Sequence, residues 1–76
     1  MASFIVKFQN AADLNWAYGN LKKLDYTDGV HVDECLLRVK RFNTVDEVTK
    51  ILQCLNIEGI TVVKVPEKNE VNENAQ

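Results

Sequence analysis

The sequence predicts one α+β domain of order βαββαβ, a four-stranded antiparallel sheet with two helices on one face. Three observations predict it. Four short runs are rich in β-branched and aromatic residues, as strands are. Two longer runs carry apolar residues at helical spacing, each opened by a capping residue. The middle two strands are separated only by a short polar reversal, whereas each outer pair is separated by a helix. A chain of 76 residues, 46% of them hydrophobic, holds one such domain with a small core.

Residues 3–9 (Ser-Phe-Ile-Val-Lys-Phe-Gln) form the first strand. Asn10, with Asp13 three residues on, resembles a capping box and starts a helix at Ala11. Ala11, Leu14, Ala17, Tyr18, Leu21 and Leu24 fall on one face of that helix, which ends near Leu24. Residues 25–29 (Asp-Tyr-Thr-Asp-Gly) are turn chemistry, with Gly29 free to take positive φ. Residues 30–33 form the short second strand, and Asp33-Glu34 reverses the chain, although that pair is not a favoured two-residue hairpin turn.

Residues 35–42 form the third and longest strand. Thr44 with Glu47 is a capping box, and Val45, Val48, Ile51, Leu52 and Leu55 are the apolar stripe of a second helix. Asn56 suits a left-handed C-cap, with Ile57 folding back over the last turn. Residues 60–65 form the fourth strand, ended by Pro66, which has no N–H for a ladder. Two right-handed crossovers joined by a hairpin then give the ferredoxin-like, or α/β-plait, sandwich over residues 1–66, with strands in spatial order 4-1-3-2. Residues 67–76 have no periodicity and read as a disordered acidic tail.

Charge narrows the partner classes. Lys and Arg balance Asp and Glu over residues 1–66, and the tail supplies the whole net charge of −2. A neutral body argues against general attraction to nucleic acid, so only a local patch could bind it. No apolar run is long enough to span a membrane, and the start lacks the basic and apolar regions of a secretory signal. The expectation is a soluble cytoplasmic protein. Cys35 and Cys54 are too few and too isolated for a disulfide framework or a zinc site, and read as small buried hydrophobes kept reduced.

Period-two alternation sorts the strands between a covered and an open sheet face. Phe4, Val6, Phe8, Val30, Val32, Leu37 and Val39 go to the core. Ile5, Lys7, Gln9, His31, Asp33, Leu36, Arg38, Lys40 and Phe42 go to the open face. The fourth strand is apolar on both sides, so one of its two sets adds an apolar strip there. Such a face is either a solvated surface covered by Lys and Arg stems or an interface. Trp16 lies nearly opposite the apolar stripe of the first helix, near Gly19 and Ala12. It is either an interface anchor or a cap on the core edge. Gly19 costs up to about 1 kcal/mol relative to alanine inside a helix.

The catalytic inventory is thin. His31 is the single histidine, and Asp33 on the same strand is the carboxylate that would orient it, but no nucleophile shares their face. No metal constellation, EF-hand spacing or glycine-rich phosphate loop is present, so no cofactor or metal is expected. Known α/β-plait families are separated by motif. The loop Gln9-Asn10-Ala11 lacks the paired cysteines of heavy-metal-binding domains and the phosphate-binding arginine of acylphosphatases. It also lacks the aspartate of the small CRISPR-adaptation nuclease-like proteins. Ile5, Lys7, Arg38 and Lys40 stand where RNA-recognition motifs place stacking aromatics.

The expected function is therefore a non-enzymatic protein-binding module. It would be a small stand-alone inhibitor or adaptor that acts by steric occlusion of a larger partner, such as a nucleic-acid-handling complex. The candidate contacts are Lys7, Arg38, Lys40, His31, Ile5, Leu36 and Trp16. Asp25, Asp28, Asp33, Glu34 and the tail would engage basic surfaces. Asparagine is frequent and Lys outnumbers Arg, as in many phage genes. Size and composition resemble those of phage-encoded inhibitors of bacterial defence such as anti-CRISPR proteins. The alternative is single-stranded nucleic-acid binding through the open face, in the manner of an RNA-recognition motif. A homodimer, formed through the edges of the second or fourth strand or through the open faces, is expected and is compatible with each.

Overall fold

The computed structural model describes residues 2–66, and the predicted tail lies outside them. The elements are β1 (Ala2–Lys7), α1 (Ala11–Lys23), β2 (Thr27–His31), a 3-10 turn (Val32–Glu34), β3 (Leu36–Phe42), α2 (Val45–Cys54) and β4 (Thr61–Lys64). The sheet order is β2-β3-β1-β4, with all three pairings antiparallel. This is the ferredoxin-like α/β-plait.

Both helices start and stop by local chemistry. The Asn10 side chain accepts the Asp13 N–H at 2.8 Å, and the Thr44 hydroxyl accepts the Glu47 N–H at 3.2 Å. The Glu47 carboxylate reaches back to the Asn43 N–H at 2.7 Å, one residue before the usual partner in a capping box. At the far end of α2, Asn56 is left-handed (φ 62°), and the Ile57 N–H bonds the Leu52 carbonyl at 3.1 Å. Ile57 is buried beneath that turn, as its sequence position implied.

The end of α1 repeats the device, which the sequence reading missed. Asp25 takes the left-handed position (φ 61°), and the Tyr26 N–H bonds the Leu21 carbonyl at 3.1 Å. Gly29 is therefore not the turn residue. It sits inside β2, where the pairing with β3 skips a residue between Thr27 and Gly29. The reversal into β3 also differs from expectation. A two-residue hairpin turn would need positive φ at Asp33, and in the type I′ form at Glu34 as well. The chain instead forms a 3-10 turn over Val32–Glu34 and places one left-handed residue at Cys35 (φ 56°). Asp33 is thus off the strand, and Val32 is exposed rather than in the core.

A second irregularity changes a face. Ala2 pairs with Phe42, and Phe4 with Val39, so β3 advances three residues while β1 advances two. Arg41 occupies the inserted position at φ 74°. Its Nε donates to the Asp25 carbonyl at 3.1 Å, and its Nη2 lies 2.8 Å from Asp25 Oδ2. The insertion turns Phe42 into the core, where it is 6% exposed and packs on Tyr26 with ring centroids 4.8 Å apart. The open-face assignment of Phe42 is corrected accordingly.

The core lies between sheet and helices. Phe4, Val6, Leu37 and Val39 from the sheet meet Leu14, Ala17 and Leu21 of α1 and Val48 and Leu52 of α2. Among the described residues no polar side chain is buried there. Leu24 and Val45, at the ends of the helical stripes, are exposed. Both cysteines are free, but their burial departs from expectation: Cys35 is half-buried and Cys54 is exposed.

Candidate functional site: the open sheet face

The register fixes which side chains share the uncovered face, because directly paired residues point to the same side. Ile5 pairs with Arg38 on β3 and with Val63 on β4. Arg38 in turn pairs with Gly29 on β2, so one row across the sheet reads Val63, Ile5, Arg38, Gly29. Lys7 pairs with Leu36 and Thr61, and Leu36 with His31, giving a second row of Thr61, Lys7, Leu36, His31. Lys40 follows on β3 by alternation. These residues alternate with the buried Phe4, Val6, Leu37 and Val39, so they face away from the helices. Ile5, Leu36, Arg38 and Lys40 are half-buried by their neighbours, whereas Lys7, His31 and Val63 are exposed.

The charges on this face are arranged asymmetrically. Lys7, His31, Arg38 and Lys40 are its ionisable strand residues apart from Asp28 at the β2 rim. Arg38 Nε lies 3.7 Å from Asp28 Oδ2, and Lys40 Nζ lies 3.7 Å from Asp25 Oδ1. Asp25 and Asp28 thus lie beside β3 cations, in pairs that remain exposed. Exposed pairs at this separation contribute roughly 0–1 kcal/mol each. Arg38 Nε is shielded from solvent and makes no hydrogen bond among the described residues. A shielded donor left in that state costs about 1–3 kcal/mol.

Aromatic rings are missing from the described part of this face. Phe4, Phe8 and Phe42 are in the core, Tyr18 and Tyr26 pack against it, and Trp16 belongs to α1. Trp16 is 56% exposed, yet its Nε1–H donates to the Leu55 carbonyl at 2.9 Å. It therefore ties α1 to the end of α2 and does not adjoin the sheet face. No Cβ at the neighbouring Gly19 would meet an atom within 4 Å.

The structure does not assemble His31 and Asp33 as a pair. Asp33 lies in the 3-10 turn, and no hydrogen bond joins the two among the described residues. Among the described residues no group of three or more His, Cys, Asp or Glu is gathered that could hold a metal ion. An open groove of about 570 Å³, which the sequence did not signal, lies beside α2 and is lined in part by Tyr26, Phe42, Ile51 and Cys54. Two of its polar groups, Arg41 and Glu47, are already engaged with Asp25 and the Asn43 N–H.

Among the described residues, fold and surface together define an α/β-plait with a face of interleaved cationic and apolar side chains that no helix covers and that carries no aromatic ring. No family model, curated protein or solved structure matches the chain. Among the described residues no helix is long and apolar enough to cross a membrane.

Proposed function

We propose that the chain is a non-enzymatic protein-binding module whose open sheet face covers a functional surface of a larger partner. It acts as an inhibitor or adaptor by steric occlusion. The observation that carries this reading is the make-up of the face. Val63, Ile5 and Leu36 form an apolar ladder, interleaved with Lys7, Arg38 and Lys40. Apolar contact area with a few placed charges is what protein interfaces use. The same face supports nucleic-acid binding less well. Among the described residues it offers no ring on which a base can stack. The Asn-rich, Lys-over-Arg composition favours a phage or mobile-element setting, with a bacterial defence complex as the target.

The test is a pull-down from host lysate with the wild-type chain and Ile5→Asp, with and without nuclease. A dominant protein that survives nuclease and is lost with Ile5→Asp supports the reading. Recovery of nuclease-sensitive RNA or DNA that disappears in a Lys7→Glu, Arg38→Glu, Lys40→Glu variant overturns it.

A further inference from the structure

We propose that the partner surface is acidic, and that its central contact is a carboxylate received by Arg38 between the apolar side chains of Ile5, Val63 and Leu36. This rests on the open face being the protein-binding surface. It adds the chemistry of the occupant.

The two arginines of the chain are used differently. Arg41 is engaged at the surface by its own chain, with Nη2 on the Asp25 carboxylate at 2.8 Å and Nε on the Asp25 carbonyl at 3.1 Å. Arg38 is not. Its nearest carboxylate oxygen, on Asp28, is 3.7 Å from Nε, beyond hydrogen-bond reach, and because that Nε is shielded from solvent an incoming group can meet only the Nη end of a side chain that is 39% exposed. A guanidinium matches a carboxylate with two parallel hydrogen bonds, so an incoming Asp or Glu completes what Asp28 does not.

Position favours the same contact. Arg38 stands on an interior strand, paired with Ile5 on one side and Gly29 on the other. Gly29 raises no side chain beside it; a Cβ there would lie 3.9 Å from Arg38 Cβ. A partner group can therefore approach the guanidinium from the β2 side while apolar contacts form over Ile5 and Val63. Apolar cover excludes water and strengthens the ion pair beneath it.

Charge selects among occupants. Two copies stacked face to face would set Lys7, Arg38 and Lys40 against their equivalents, and like charges in contact oppose association. An acidic surface of a different protein fits where a second copy does not.

The experiment selects random peptides of about twelve residues displayed on phage against the immobilised full chain. Winning sequences are then made synthetically and titrated by fluorescence anisotropy. Expected winners carry Asp or Glu flanked by apolar residues, and their affinity falls about tenfold or more with Arg38→Gln, a loss of at least one hydrogen-bonded charge pair. Arg38→Lys restores little, because an ammonium cannot form the paired geometry. Lys23→Gln on α1 leaves the affinity unchanged, and an unchanged urea midpoint shows that Arg38→Gln is folded. Peptides lost with Ile5→Asp but retained by Arg38→Gln would overturn the carboxylate contact and leave the protein-binding face standing. Peptides indifferent to both variants would overturn the face itself. Tight binding of oligothymidylate, or a dimer in sedimentation that Arg38→Gln strengthens by removing the like-charge repulsion, would overturn the acidic-protein occupant.

Discussion

Replacing Gly19 by alanine is expected to stabilise the protein, and the size of the gain follows from its surroundings. Gly19 lies in the interior of α1, and an added Cβ would meet nothing within 4 Å. No clash and no new burial enter the balance, so only the intrinsic helix preference remains, about 0.8–1.0 kcal/mol in favour of alanine. For a domain of this size that raises Tm by roughly 3–8 °C. With a urea slope near ~1 kcal/mol per molar, the midpoint rises by about 0.8–1 M at constant slope. Urea titration followed by far-ultraviolet circular dichroism measures it. An unchanged or lowered midpoint would refute the reasoning and mean that Gly19 serves a contact within the chain. Gly59 provides the contrast. It sits at φ 69°, and the Gln9 side chain occupies the place its Cβ would take. Gly59→Ala is expected to cost about 1–2 kcal/mol for the left-handed backbone alone, so the two glycines should shift the midpoint in opposite directions.

Other substitutions test other parts of the argument. Phe42→Ala should cost about 3–5 kcal/mol, comparable with the whole stability of so small a domain, and leave the chain largely unfolded by NMR line dispersion. A folded, barely weakened variant would return Phe42 to the open face. Trp16→Phe keeps the ring but strands the Leu55 carbonyl, and should lower stability by about 0.5–1.5 kcal/mol in urea. Thr44→Ala removes the cap of α2 and should cost about 1 kcal/mol, whereas Thr44→Ser should be close to neutral.

The topology was legible because each element carries its own punctuation. Asn10, Thr44 and Asn56 mark three helix ends, and the alternation of Phe4, Val6, Leu37 and Val39 marks the covered face. What was not legible lies where one residue is gained or lost. A bulge filled by arginine leaves no glycine to announce it, so regular alternation carried Phe42 to the wrong face. Gly29 has the positive φ expected of it (149°), but inside β2, while the left-handed residue that closes α1 is Asp25, which no sequence signal singled out because aspartate tolerates that conformation without being required for it. The placement of Ile5, Lys7, Leu36, Arg38 and Lys40 on one side needed only the period-two rule. Their ion-pair partners were hidden, since Asp25 in the turn before β2 and Asp28 on β2 itself reach β3 only once the two strands pair. Trp16 was left open in sequence because a helical wheel places a ring but does not show a carbonyl belonging to another helix.

The tie between Trp16 and Leu55 also gives the molecule a natural optical reporter. Trp16 is the single tryptophan, and its indole spans the seam between α1 and the end of α2. Its emission therefore reads whether the two helices remain docked, and it is set back from the opposite side of the sheet. Separation of the helices exposes the indole and breaks its hydrogen bond, shifting the spectrum, while a ligand settling over Ile5 and Arg38 leaves that seam undisturbed. Quenching and wavelength thus follow folding, and a label on the ligand follows association, so the two can be recorded in one cuvette without a mutation that confuses them.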